Sequence, residues 1–371
     1  MADKNTTAAA APRRMSKRLQ SNLITYAVVI GFFVLMTVLE VTGILTNSLA
    51  GQLVPICAYV CMAVSLNLVV GISGELSLGH AGFMSVGAFS GFVAFSLVNG
   101  IVNNALLAYV IALVIAAVIA GVAGFVIGIP VMRLRGDYLA IVTLAFGEII
   151  KNILNNLYVG LDGRGLHFSL ADAKALGMQG GTLLINGPQG ATGITKMSTF
   201  AIGIVLVLIT VTVVLNLVNS RTGRAIMSVR DNRIAAESVG INVTKYRMIA
   251  FVVAAALAGA AGCFYAMGYS SIVPKKFDFN TSILVLVFVV LGGMGNVRGS
   301  IISAALLTVL PEMLRAISDW RMLIYAVVLI LVMIISNNPT LRQLAGGLKS
   351  KFKRPVKSQD DATEKGGEAD A

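Results

Sequence analysis

The stretch ALLAYVIALVIAAVIAGVAGFVIGIPVM, from Ala105 to Met132, decides what kind of protein this is. It holds no charged residue and exceeds the roughly 20 apolar residues that an α-helix needs to cross a hydrocarbon core of about 30 Å. Similar runs flank it: Leu23 to Val41, Gly51 to Gly71 and His80 to Val98 before it, then Tyr138 to Tyr158, Thr199 to Leu217, Tyr246 to Tyr269, Ser282 to Gly293, Ile301 to Ile317 and Met322 to Ile335. Together they predict an all-α polytopic membrane protein, a bundle of about ten transmembrane helices, with a range of about 8–11. The range stays open because the segments at Ser282 to Gly293 and Ile301 to Ile317 are short and glycine-interrupted, as broken or re-entrant helices are. Leu23 to Val41 is longer than the roughly 7–15-residue core of a signal peptide, and no cleavage site follows, so it is expected to stay as an anchor.

Composition agrees. Of 371 residues, 57% are hydrophobic and 12% charged, with a mean hydropathy of +0.85; ordinary globular domains carry about 25% charge. A soluble enzyme, a nucleic-acid-binding domain and a disordered regulator are all disfavoured. The net charge of +12, from 29 Lys and Arg against 17 Asp and Glu, is read as loops beside anionic membrane lipid, not as a nucleic-acid surface.

Basic loops stay in the cytoplasm, which sets the threading. Arg13, Arg14, Lys17 and Arg18 make residues 1–22 a cytoplasmic basic tail ahead of a transmembrane body at 23–338. Arg133 and Arg135 then fall inside, as do Arg221, Arg224, Arg230, Arg233 and Lys245, and the charged tail 339–371 with Arg342, Lys349, Lys351, Lys353, Arg354 and Lys357. Both termini are therefore expected in the cytoplasm, while Lys275, Lys276, Arg315 and Arg321 lie outside, against the rule. Two long connections remain. Residues 160–198 form an outward loop rich in glycine (Gly180, Gly181, Gly187, Gly190, Gly193). Residues 219–245 form a basic cytoplasmic loop, in which Ile234, Ala235, Ala236 and Val239 lie among Arg233, Glu237 and Gly240, a pattern that predicts a short surface helix ended by glycine.

Small residues four apart, at Gly87/Gly91, Gly124/Gly128, Ala255/Gly259 and Ala258/Gly262, predict seams where helices pack closely. Cys57, Cys61 and Cys263 sit in apolar runs and are read as core residues, and with His80 and His167 the only histidines, no imidazole metal site is expected. No Gly-Lys pair exists anywhere, so the chain lacks a phosphate-binding P-loop. Gly292, Gly293, Gly295 and Gly299 imitate a dinucleotide fingerprint, but Arg298 stands in the place of the third glycine, and the cluster reads as a bend between two short helices.

Ionisable groups inside apolar runs mark function or pairing. Glu148 and Lys151, three apart on one helix face, are read as facing the interior with Asn152, Asn155 and Asn156; they are either a pair that fixes helix packing or a polar wall of a translocation path. Glu75 and His80, in a connection reached by water, are either a packed turn or part of a gate. Little carboxylate chemistry for a coupling ion is present, and with no nucleotide motif a solute mover of this kind is most simply driven by another subunit.

Several ordered motifs carry a family resemblance. Ser65-Leu66-Asn67-Leu68 through Gly71, Leu76 to Phe83, Leu134 to Leu144, Gly147-Glu148-Ile149-Ile150 and Thr222-Gly223-Arg224-Ala225 are similar to the membrane subunit of branched-chain amino-acid ABC importers, the LivM type. Asn186-Gly187-Pro188-Gln189-Gly190 resembles the family's outward Gly-Pro-Asn-Gly tract with Gln in place of Asn. The likeness runs from about Gln52 to Ile335.

The resemblance implies a multi-pass permease of the bacterial inner membrane that pairs with a second homologous permease subunit, two cytoplasmic ATPase subunits and an external substrate-binding protein. ATP and Mg would bind only to the ATPase partners, and this chain would hold no cofactor. Arg230, Asp231, Arg233, Ala235, Ala236, Glu237 and Gly240 look like the coupling loop of such importers, although Glu237 follows its two alanines where the family has Glu first. Glu75, His80, Glu148, Lys151 and Asn152 are the candidates for a path or gate. The expected activity is import of branched-chain amino acids by alternating access; the alternatives are a permease for urea or short amides, and an ion-coupled secondary transporter.

Overall fold

A computed structural model describes residues 17–42, 47–134, 136–163, 165–178, 180–314 and 320–337. Most of both tails, together with Arg135 and Arg315, lies outside the described residues. The chain divides at residues 316/317 into two compact units. The second unit contributes one described helix, α12 (Arg321–Asn337).

In the first unit, α1 (Lys17–Val41) has few buried residues, and α2 (Asn47–Asn67) continues as a π-helical turn at Leu68–Ser73. Then come α3 (His80–Asn99), α4 (Ala105–Val131), α5 (Asp137–Asn155), α6 (Phe200–Asn219), α7 (Arg221–Asp231), α8 (Arg233–Ser238), α9 (Val243–Ala266), α10 (Phe279–Gly292) and α11 (Val297–Met313). Polar caps start many of them. Asn104 Oδ1 accepts the Leu106 amide at 3.1 Å to open α4, and Asp278 Oδ1 accepts the Thr281 amide at 3.0 Å to open α10.

Among the described residues, six helices are long and apolar enough to cross a membrane: α1, α2 with its π-turn, α3, α4, α6 and α9. The other expected spans are helical too, but each falls short by length or charge. α5 carries Asp137, Glu148 and Lys151, and α10 has 14 residues, about 21 Å at 1.5 Å each.

The helical core grows from close backbone approach. A Cβ on Gly87 would lie 2.1 Å from the Gly259 carbonyl oxygen, and one on Gly262 would lie 1.9 Å from that of Met84, so α3 and α9 touch backbone to backbone. Gly124 meets the Ala255 side chain in the same way across α4 and α9. Cys57, Cys61 and Cys263 are free and buried, Cys57 against Gly203 and Cys263 against Gly91. The glycine cluster at the α10–α11 junction is a tight hairpin bend: Gly295 adopts φ +82°, and its amide donates to Asn67 Oδ1 at 2.8 Å.

One expectation is corrected. The fold is mostly helical but not all-α, because the 160–198 stretch, expected as a loop, contributes strands to a small antiparallel sheet. Its strands are β1 (Tyr158–Asp162), β2 (Gly165–Ser169), β3 (Thr182–Asn186), β4 (Ala191–Thr192) and β5 (Ser271–Ile272), in the order β2-β1-β3-β4-β5. Tyr158 pairs with both Ser169 and Asn186, and Ala191 pairs with Ile272 from the far side of α9. α6 leads from this sheet to α7, which places the sheet and the α7–α8 corner at opposite ends of a helix of 20 residues.

Candidate functional site

The 219–245 segment folds as a helical corner with its own small core. Ser220 Oγ accepts the Gly223 amide at 3.1 Å to start α7, and Asn232 Oδ1 accepts the Ala235 amide at 3.0 Å to start α8. Gly240 takes φ +82° while the Ile241 amide donates to the Ala236 carbonyl at 3.0 Å, which ends α8 in a Schellman-type cap. Val229, Ala236 and Val243 are buried against one another, with Ile241 packed beside them. The expected short surface helix is α8; a further helix, α7, precedes it, and the two join at Asn232, which caps the second as the first ends.

Burial sorts the candidate coupling residues. Ala236 faces the small core, whereas Ala235, Asp231 and Gly240 are exposed, and Arg233 Nε pairs with Glu237 Oε1 at 2.8 Å one turn on. Ile234, early in α8, and Val239, its C-cap, stand 80% and 73% exposed, leaving an apolar side chain bare at each end of the helix. These two were missed among the candidate residues, although their spacing around Ala236 carried the signal.

Arg230 ties this corner to the helix bundle. Its Nη1 donates to the Gly71 carbonyl at 2.9 Å on the π-turn of α2, while Nε and Nη2 reach Asp231 Oδ1 at 3.1 and 3.0 Å. Its aliphatic stem lies so close to Gly74 that a Cβ there would be 2.6 Å from Cγ of Arg230. The same π-turn meets the α10–α11 bend, since a Cβ on Gly71 would lie 2.2 Å from the Gly295 amide nitrogen. The helix ends at Ser73 and the carbonyls of a last turn lack intrahelical partners, so Gly71 can accept a side-chain donor from another element.

Glu75, just beyond that turn, forms a buried ion pair with Arg247 at 2.5 Å, their side chains 18% and 5% exposed. Arg247 also donates to the Met132 and Leu134 carbonyls at 3.3 and 3.5 Å, which pins the end of α4 to the start of α9. Arg247 was missed as well. An arginine near the start of an apolar run was the available signal, since such a charge must find a partner. Between α7, the Gly74 turn and α9 lies a cleft of about 200 Å³, lined by Glu75, Arg230, Arg233 and Arg247 among others.

The structure does not join Glu75 to His80. His80 is 2% exposed, with Nε2 hydrogen-bonded to Ser65 Oγ at 2.7 Å, so the expectation that water reaches it is corrected: it opens α3 inside the bundle. The Ala81 amide beside it donates to Ser282 Oγ at 3.1 Å, linking α3 to α10. Glu148 and Lys151 are in direct contact on α5, with side chains 36% and 19% exposed. Asn152 and Asn156 are exposed, on a face shared with Tyr138, Ile141 and Ile149, so the expectation that these asparagines face the interior is also corrected. α5 is amphipathic and turns its other side, with Leu139, Ala140 and Thr143, into the bundle. Among the described residues no group of three or more His, Cys, Asp or Glu is placed to hold a metal ion.

A protein family described as the permease component of the branched-chain amino acid transport system matches residues 48–335 of this chain. The chain belongs to that permease family. Two relatives are high-affinity branched-chain amino acid transport system permease proteins LivM, from Salmonella typhimurium and Escherichia coli, each 35% identical over 286 residues. Those matches take in 74% of this permease-family chain and 66% of each LivM protein. The BraD permease protein of Pseudomonas aeruginosa is 25% identical over 269 residues, 68% of this chain and 80% of BraD. No solved structure matches significantly. The matched range of this permease holds nearly all of α2, then α3 through α11 and most of α12, with every contact described for Arg230, Glu75 and Arg247, and leaves out α1.

Proposed function

We propose that this chain is the membrane-spanning subunit of an ABC importer for branched-chain amino acids, working by alternating access driven by ATP hydrolysis on two cytoplasmic ATPase subunits. In this reading all of α1–α6 and α9–α12 lie in the inner membrane as ten spans or part-spans, with both termini and the α7–α8 corner in the cytoplasm. A second homologous permease covers the exposed face of α5, where Glu148, Lys151 and Asn152 line the path. An external binding protein docks on the sheet and selects the substrate. ATP and Mg belong to the partners.

Membership of the permease family supports the class, and one contact carries the mechanism: the Arg230 guanidinium on the Gly71 carbonyl. A push on α8, whose Ile234 and Val239 offer apolar side chains to an ATPase groove, passes through Arg230 to the π-turn of α2 and the α10–α11 bend packed on it. π-turns and glycine bends are where the regular helical ladder is already interrupted, so this junction is the hinge of the gate. The Glu75–Arg247 pair latches the neighbouring turn to α4 and α9.

Reconstitution tests the reading. Vesicles holding the full assembly should take up labelled leucine only with ATP, and Arg230→Gln should leave assembly intact while uptake falls about tenfold, the loss of one charge-assisted hydrogen bond. Unchanged uptake by that variant would reject the transmission route.

A further inference from the structure

We propose that the cleft between α7, the Gly74 turn and the start of α9 is a binding site for a small oxyanion, a phosphate group held by Arg230, Arg233 and Ser73. Among the described residues three guanidinium groups line it against a single carboxylate, Glu75. Glu75 is already committed to Arg247, the most buried of the three arginines at 5% exposure. The other two arginines keep exposed ion pairs on their outer sides, and Arg230 also donates Nη1 to the Gly71 carbonyl. Arg230 shares Asp231, and Arg233 shares Glu237, in pairs whose side chains are 36–68% exposed. Such exposed pairs contribute little and exchange readily for a better anion.

A second observation is independent of the arginines. Ser73 also lines the cleft; it is 3% exposed, and its hydroxyl has no hydrogen-bond partner. Buried hydroxyls are seldom left unpaired; this oxygen is shut off from the cleft as it stands, and rotation about the Ser73 Cα–Cβ bond would bring its proton to an oxyanion that accepts the arginine forks. The cleft, at about 200 Å³, admits a phosphate group together with its waters. Ile234 and Val239 do not line it, so the apolar side chains at the ends of α8 stay free when the site is filled. A bound oxyanion would bridge Arg233 of α8 and Arg230 of α7 to the end of α2, bracing the corner against the bundle. The site stands on these contacts whatever solute the chain moves. The phosphate can be free in solution or belong to an anionic lipid headgroup.

The test uses the full chain in nanodiscs. In phosphatidylcholine discs, inorganic phosphate is titrated at constant ionic strength against chloride and followed by calorimetry. One saturable site per chain is expected, weakened about tenfold or more by Arg233→Gln and by Ser73→Ala, with Arg233→Lys intermediate because it keeps charge but loses the fork. Circular dichroism without phosphate confirms that each variant is folded. In phosphatidylglycerol discs, a headgroup occupant should abolish phosphate binding and leave one lipid retained by the wild type, but not by Arg233→Gln, in native mass spectrometry. Phosphate binding that persists there identifies free phosphate as the occupant. Absence of saturable binding by both phosphate and phosphatidylglycerol, or binding undiminished in Arg233→Gln and Ser73→Ala, overturns the site.

Discussion

Arg230 and Gly71 lie 159 positions apart in sequence and meet at 2.9 Å, guanidinium Nη1 to carbonyl oxygen. The contact joins the α7–α8 corner to the π-turn in which α2 continues. Replacing Arg230 by Lys should retain charge near Asp231 but lose the simultaneous reach to Gly71. We expect an ATPase activity that continues while uptake per ATP falls, measured as the ratio of transported solute to hydrolysed ATP in reconstituted vesicles; an unchanged ratio would show that the contact is incidental.

The Glu75–Arg247 pair predicts a stability effect instead. Arg247→Ala leaves the largely buried Glu75 carboxylate without its cation and frees the Met132 and Leu134 carbonyls, so a loss of about 3–5 kcal/mol is expected. Denaturant titration in micelles measures it. Glu75→Gln combined with Arg247→Met should recover part of that loss, since no charge is then stranded. A double variant no better than Arg247→Ala would show that the backbone contacts dominate.

Glycine positions separate packing from propensity. Gly87→Ala would force a Cβ to within 2.1 Å of the Gly259 carbonyl oxygen and should collapse the yield of folded protein. Gly51→Ala, in α2 with nothing within 4 Å, should be neutral or stabilising by about 0.5–1 kcal/mol. Thermal melts of the two side by side decide this, and a tolerant Gly87→Ala would refute the tight α3–α9 seam.

On α8, Ile234→Asp removes an apolar side chain that is 80% exposed, so the chain should fold as before. Under the proposed docking the variant should no longer retain the ATPase subunits on co-purification, and Glu237→Arg should act the same way by reversing the charge beside Arg233. Full retention by both variants would move the docking face elsewhere.

How far the sequence reached depended on the range of the interactions. Helices such as α4 were legible because a run with no charge has one stable state in a bilayer, and the end of α8 was legible because Gly240 takes the left-handed conformation that a helix cap favours. The sheet was not legible: its strands are two to five residues long, and β4 finds its partner β5 only after α6 to α9 have passed. The partners of the charged residues were hidden for the same reason. Nothing near Glu75 in sequence announces Arg247, and nothing near Arg230 announces Gly71, because helix packing alone brings them together. Likewise His80 sits in a polar-looking motif that suggested an accessible turn, and only Ser65, fifteen residues earlier, explains how it is satisfied inside the bundle.

The most direct measurement is uptake of labelled leucine against a gradient in vesicles holding this chain with its permease, ATPase and binding-protein partners, compared with vesicles holding the chain alone. The account predicts accumulation in the complete assembly with ATP, little in the Arg230→Gln assembly, and none with the chain alone. Uphill accumulation by the chain alone, driven by an ion gradient and indifferent to ATP, would contradict it.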